Sequence, residues 1–190
     1  SGAPFYAVVE AMGAEPERDA ERFEEVLAGV LADGLASDAV IAQSGADRDR
    51  LWAVREDLND PMASMWPLFA FDVSVPVSDM EAFVAEAKRT VAVRFPGARF
   101  VTYGHIGDGN LHLMVGVGSA DADTHHAVDL AVFETVQRFN GSISAEHGIG
   151  TAKRAYIGYT RTPAELALMR TIKQAMDPAH ILNPDKMFPA

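Results

Sequence analysis

The sequence predicts an α+β fold built on an antiparallel sheet, and three observations point there. Strand-like and helix-like patterns interleave along all 190 residues without repeats or low-complexity linkers, an alternation that alone would suggest a parallel, doubly wound sheet. Two apolar runs, however, Phe100–Tyr103 and Leu111–Val117, stand back to back across Gly107-Asp108-Gly109. A connection this short joins antiparallel neighbours, because parallel strands need a long crossover. A chain of this length that is 48% hydrophobic can bury one good core, which favours one domain over two.

Taken in order, Phe5 to Glu10 reads as a strand, and Glu17 to Ala32 as a helix whose Phe23, Val26, Leu27, Val30 and Leu31 form one apolar stripe. Ala39 to Gln43 is short and β-like. Asp47 to Asn59 reads as a helix stopped by Pro61, with Leu51, Val54 and Leu58 inward and Arg55 one position off that stripe. Phe69 to Val75 is another strand. Ser78 with Glu81 makes a capping box that opens a helix reaching about Arg94, which Pro96-Gly97 ends. The strands at 100–104 and 111–117 follow. Asp123 to Phe139 is a helix closed by Asn140-Gly141. Thr162, Pro163 and Glu165 combine a cap, an N1 proline and a capping box to start a last helix ending near Asp177, and the remaining residues read as irregular.

Composition narrows the function classes. A net charge of -11 repels phosphate backbones, so nucleic acid is not an expected partner. With no cysteine, disulfide and thiolate chemistry are excluded, which fits a reducing, cytoplasmic location. No apolar run is long enough to span a bilayer and no signal-peptide pattern opens the chain, so a soluble protein is expected.

The chemistry concentrates in two glycine-punctuated runs, Tyr103-Gly104-His105-Ile106-Gly107-Asp108-Gly109-Asn110-Leu111-His112 and Ser144-Ala145-Glu146-His147-Gly148-Ile149-Gly150. Neither run suits a helix or strand interior, where glycine costs backbone entropy. On one helix His105 and His112 would share a face, but the Asp108-Gly109 turn breaks that helix. On one unbroken strand their odd spacing would send the rings to opposite faces. Across a hairpin, His105 leaves one strand as His112 enters the next, and the rings can converge. Glu146 completes two neutral imidazoles and one carboxylate, a set that suits zinc or manganese with a position left open. His125, His126 and His180 read as ordinary surface residues. The loose G-x-G patterns lack a third glycine, so a nicotinamide site is not expected. Thr151-Ala152-Lys153-Arg154 could hold an anion at a helix N-terminus, a weak signal. Trp52 and Trp66 are assigned to core or interface packing.

These two runs, with Leu51-Trp52-Ala53-Val54-Arg55-Glu56 upstream and Ile181-Leu182-Asn183-Pro184-Asp185-Lys186 at the end, resemble the C-terminal domain of FAD-linked oxidases, the D-lactate dehydrogenase, glycolate oxidase flavin subunit and D-2-hydroxyglutarate dehydrogenase family. The resemblance covers nearly all of residues 1–190. It implies a ferredoxin-like antiparallel sheet with helices packed on one face and a C-terminal helical extension. It also implies an N-terminal FAD-binding domain of the same protein that this chain does not include, and the abrupt opening on Phe5-Tyr6-Ala7-Val8-Val9 reads as a start at a domain boundary. The chain alone is then expected to be inactive.

The same resemblance assigns roles. A small 2-hydroxy acid would chelate a divalent cation on His105, His112 and Glu146, His147 would act as the base, and FAD would take the hydride. Arg55 resembles the family's carboxylate-binding arginine, whose planar fork suits a bidentate contact. Asn183 matches a position that approaches the flavin. The electron acceptor stays unassigned and a homodimer stays open. Several relatives carry a lysine where Ala70 precedes Phe71-Asp72, and those acting on 2-hydroxyglutarate carry Asn where this chain has Met114. Both differences make the pocket less polar, so a D-lactate-like monocarboxylate is expected. The competing reading is a stand-alone metal-binding or regulatory module without redox activity, although the hydrolase pattern H-E-x-x-H is absent.

Overall fold

In a computed structural model of the chain, which describes residues 5–56 and 62–188, the predicted hairpin supplies the central strand and one edge of a three-stranded antiparallel sheet. Strands β1 (Leu68–Ser74), β2 (Arg99–His105) and β3 (Asn110–Gly116) lie in the order β1-β3-β2. Helix α3 (Met80–Arg94) connects β1 to β2, and α4 (Ala122–Arg138) follows β3. The β-α-β-β-α order and the strand order are those of a ferredoxin-like fold. Where its fourth strand would lie beside β1, Ser74 and Ser142 make an isolated antiparallel bridge with N–H···O distances of 3.0 and 2.8 Å.

Side chains alternate across the sheet. Phe69, Phe71 and Val73 of β1 and Leu111, Leu113 and Val115 of β3 meet Phe83, Ala87 and Val91 of α3 and Val128, Val132 and Val136 of α4 in one core. Both helices therefore cover one face, as expected. The other face carries Ala70 and Asp72, their register partners Met114 and His112, and Val101 and Tyr103 on β2.

The chain divides into two units, Ser1–Leu58 and Asn59–Ala190. The second holds the sheet, α3, α4, a short 3-10 turn (Arg154–Tyr159) and the C-terminal helix α5 (Pro163–Met176), whose capping box between Thr162 and Glu165 forms as predicted. Asn140 closes α4 with a left-handed φ of 52°. The first unit holds α1 (Pro16–Ala32) and α2 (Gly45–Glu56). Ser44 starts α2 two residues earlier than expected, its hydroxyl accepting the Asp47 N–H at 3.2 Å.

Several local expectations fail. Phe5–Glu10 and Ala39–Gln43 form no strand, because a β-like run becomes a strand only where a partner edge accepts its hydrogen bonds. The Ser78 capping box does not form: Ser78 lies in a 3-10 turn, Val77–Asp79, and α3 opens without a side-chain cap. The α1 stripe buries none of its residues, Val54 is 73% exposed and Trp66 is 78% exposed, so these apolar groups are not core. Leu58, Asn59 and Pro61 lie outside the described residues.

Candidate metal and active centre

The hairpin register decides where the two histidines go. His105 pairs with Asn110 at the end of β2, and His112 pairs with Tyr103 two residues into β3, so both rings emerge on the face away from the helices. The turn between them is tight because Gly109 takes φ 75° and a Cβ there would lie 2.1 Å from the Val75 carbonyl oxygen. That contact is matched by a hydrogen bond from Val75 N–H to the Gly109 carbonyl at 3.1 Å, which clamps the turn to the end of β1. The His105 and His112 ring centroids are 5.9 Å apart and nearly perpendicular.

Glu146 and His147 arrive on the loop after the Ser74–Ser142 bridge. His112 Nε2 lies 3.8 Å from Glu146 Oε2, and the His147 ring stacks on His112 at 5.7 Å. His105, His112 and Glu146 offer ligand atoms that all lie within 4.8 Å of one another; so do Asp72, His112 and His147. The structure thus brings together the four residues that the motifs single out. Three of them, His112, Glu146 and His147, line a cavity of about 220 Å³ whose walls also include Ala70, Asp72, Tyr103 and Met114.

The sequence reading missed the residue beneath this loop. Asp72, 3% exposed, accepts the backbone N–H groups of Ala145, Glu146 and His147 at 3.1, 3.1 and 2.9 Å and the Ser144 hydroxyl at 3.1 Å. Lys153 Nζ lies 3.6 Å from the same carboxylate and donates to the Asp72 carbonyl and to Ser144. Lys153 therefore serves a buried carboxylate, and the element that begins after it is the short 3-10 turn Arg154–Tyr159 rather than an α-helix. Burial pushes the Asp72 carboxyl up, but the N–H groups of His147 and Glu146 and the Lys153 ammonium outweigh it and hold it below the usual carboxylate range. Burial likewise lowers the Lys153 ammonium, with Asp72 opposing. A signal was available: an acid in the middle of the apolar run 69–75 must find partners or not be buried.

Two expected residues remain, Asn183 in the second unit and Arg55 in the first. Asn183, with φ 47°, borders a second cavity of about 380 Å³ beside Ile149, Gly150, Leu182 and Lys186. Arg55 ends α2 in the first unit, where its guanidinium donates to Glu56 at 2.7 Å. An exposed pair of this kind is weak, so the guanidinium is readily exchanged. Among the described residues, no helix is long and apolar enough to cross a membrane.

Comparison with known proteins adds an independent line. Residues 1–187 match the family described as FAD linked oxidases, C-terminal domain. The D-2-hydroxyglutarate dehydrogenase of Stutzerimonas stutzeri (strain A1501) is 41% identical over 192 residues, covering 98% of this chain and 41% of the relative. The mitochondrial D-2-hydroxyglutarate dehydrogenase of Danio rerio is 36% identical over 186 residues, covering 98% of this chain and 34% of the relative. The Arabidopsis thaliana mitochondrial enzyme of the same name is 35% identical over 185 residues, with 97% and 33% covered. This chain therefore spans well under half the length of the relatives it matches, and it belongs to the FAD-linked oxidase family as the C-terminal domain.

Proposed function

We propose that this chain is the substrate- and metal-binding domain of a flavin-dependent dehydrogenase that oxidises a D-2-hydroxy acid to the 2-oxo acid. The observation that carries the reading is the convergence of His105, His112 and Glu146 on one point, with His147 beside His112 and Glu146 on the cavity wall, in a chain of this family. Two imidazoles and a carboxylate are a donor set suited to zinc or manganese. His105, His112 and Glu146 would hold such a cation, which would supply Lewis acidity toward a substrate hydroxyl. The FAD, held mainly by an N-terminal domain of the same protein, supplies the hydride acceptor. Asn183, which lines the second cavity, is its proposed contact here.

The chain's own residues then do the rest. His147, largely exposed toward the cavity, removes the hydroxyl proton as the C2 hydride leaves. The Asp72 carboxylate, 3.8 Å from His147 Nδ1, lies where the positive charge of the protonated ring develops. Arg55 is proposed, on the family resemblance, to hold the substrate carboxylate. The group of His105, His112 and Glu146 is preferred over that of Asp72, His112 and His147 because Asp72 Oδ2 is already committed to backbone donors and Lys153.

Two observations pull the substrate in different directions. The relatives are named for D-2-hydroxyglutarate, whereas Ala70 and Met114 face each other across β1 and β3 and both line the cavity. That wall offers no cation or amide at these positions for a second carboxylate, which favours a monocarboxylate such as D-lactate. A cytoplasmic location completes the reading. The test uses the full-length protein. Glu146→Gln should weaken Zn²⁺ or Mn²⁺ binding, whereas His147→Ala should keep the metal and slow flavin reduction by ~100- to ~10,000-fold, the usual cost of a lost general base. If His147→Ala reduces flavin at the parent rate, or sheds its metal as Glu146→Gln does, the assignment of base and ligand is wrong.

A further inference from the structure

The loop that brings Glu146 and His147 to the cavity has no helix or strand pairing of its own at residues 145–147. Its backbone donors instead converge on one side chain. Asp72 Oδ2 takes the N–H groups of Ala145, Glu146 and His147, and Asp72 Oδ1 lies 3.3 Å from the Glu146 nitrogen. Successive backbone N–H groups closing on one anion make a rigid nest, here filled by the protein's own carboxylate.

Asp72 also looks the other way. It is the register partner of His112, and its Oδ1 faces His112 Nδ1 across 4.0 Å while His112 Nε2 faces Glu146. One buried carboxylate therefore stands between an imidazole of β3 and a loop that follows α4. At 4.0 Å this is a charge facing an imidazole rather than a hydrogen bond, and it leaves Nε2 of His112 on the side of Glu146. Lys153 at 3.6 Å balances the charge, so Asp72 need not recruit a cation of its own.

We propose that Asp72 is the positioning residue of the centre: it seats the 145–147 backbone, and through it the Glu146 carboxylate and the His147 ring, beside Nε2 of His112. This rests on the reading above that His105, His112 and Glu146 hold a divalent ion and that His147 is the base. Asp72 is given no bond to substrate or ion here, because its Oδ2 is filled by backbone donors and Lys153.

The experiment compares Asp72→Asn with the parent in the full-length protein, by Zn²⁺ titration against a chromogenic chelator and by hydrogen–deuterium exchange resolved to the 145–147 segment. The isosteric amide keeps the volume but replaces a charge-assisted acceptor with a donor on one side. Expected are a Zn²⁺ affinity lowered by roughly 10- to 100-fold, the usual cost of losing such an outer partner, and faster exchange confined to 145–147, with α3 and α4 unchanged. Unchanged exchange at 145–147 in a folded variant would overturn the proposal; so would uniformly faster exchange at parent Zn²⁺ affinity, which would make Asp72 a general stability residue. A parent that binds neither Zn²⁺ nor Mn²⁺ would sink the metal reading, while the exchange measurement still decides the role of Asp72 in seating the loop. Should Asp72→Asn not fold, Ser144→Ala removes one donor from the same carboxylate. It should loosen the same segment with a several-fold loss of Zn²⁺ affinity, and no local change there counts against the proposal.

Discussion

On the helix-covered face of the sheet, Phe69, Phe71, Val73, Leu111, Leu113 and Val115 are at most 6% exposed and join α3 and α4 in one hydrophobic cluster. On the opposite face the intervening residues, Ala70, Asp72, His112 and Met114, line the candidate centre. The two sets alternate along the same strands, so neighbours in sequence differ in purpose. Packing on one side holds the strand positions that aim the imidazole and the carboxylate on the other. A substitution on the core face should then change stability with little change in ligand affinity, and one on the cavity face should do the reverse.

The sharpest way to break that contrast is to compare adjacent residues. Leu113→Ala removes a side chain that is 1% exposed and should cost ~2–5 kcal/mol of stability, read as a lower denaturant midpoint, with Zn²⁺ affinity nearly unchanged below the transition. His112→Ala, one residue earlier, should abolish stoichiometric metal binding while costing far less stability. If both variants lose metal and stability together, the faces are not separable and the centre is part of the core.

A smaller effect sharpens the cavity face alone. Restoring polarity with Ala70→Lys and Met114→Asn should shift the ratio of kcat/KM for D-2-hydroxyglutarate over D-lactate toward the diacid. A charge-assisted hydrogen bond contributes ~1.5–3 kcal/mol, so the ratio should move by roughly 10- to 100-fold. A parent that already prefers D-2-hydroxyglutarate, with no shift in the double variant, would show that this wall does not read the substrate's far end.

The smallest expected effect lies away from the sheet. Lys173 and the N–H groups of Ile181 and Leu182 hold the Asp177 carboxyl at about 2, below its ordinary 3.8. A carboxylate depressed by folding stabilises the protein above its unfolded value, and that contribution is lost as pH falls through the folded value. The Tm difference between the parent and Asp177→Asn should therefore be constant near neutral pH and narrow as pH drops from 3.8 toward 2. A gap that stays constant through this window would mean that the carboxylate charge contributes nothing.

Elements with their own local chemistry were legible in the sequence. The β2–β3 hairpin, α4 with Asn140 after it and α5 with its Thr162–Glu165 box all stand where turn and capping residues put them. Those that needed a distant partner were not. Phe5–Glu10 and Ala39–Gln43 have strand-like composition and no pairing edge, and Ser78 donates to the neighbouring Asp79 rather than closing a cap. His105, His112, Glu146 and His147 could be singled out because glycine-rich loops concentrate metal-binding side chains, and the tertiary structure draws them together. Asp72 gave only the hint of a charge inside an apolar run, since its partners lie more than seventy residues away at 145–147.

By itself, then, the sequence determined the antiparallel hairpin, the end of α4, the start of α5 and the identity of the candidate ligands, because turns, caps and donor chemistry act over a few residues. Only the tertiary structure decided which face of the sheet is core and which is cavity, and that the Ser144–His147 loop rests on a carboxylate of β1. The physical reason is that register and burial depend on how strands far apart in the chain pair, and a shift of one residue would have sent Asp72 and His112 into the core and Phe71 and Leu113 into the cavity.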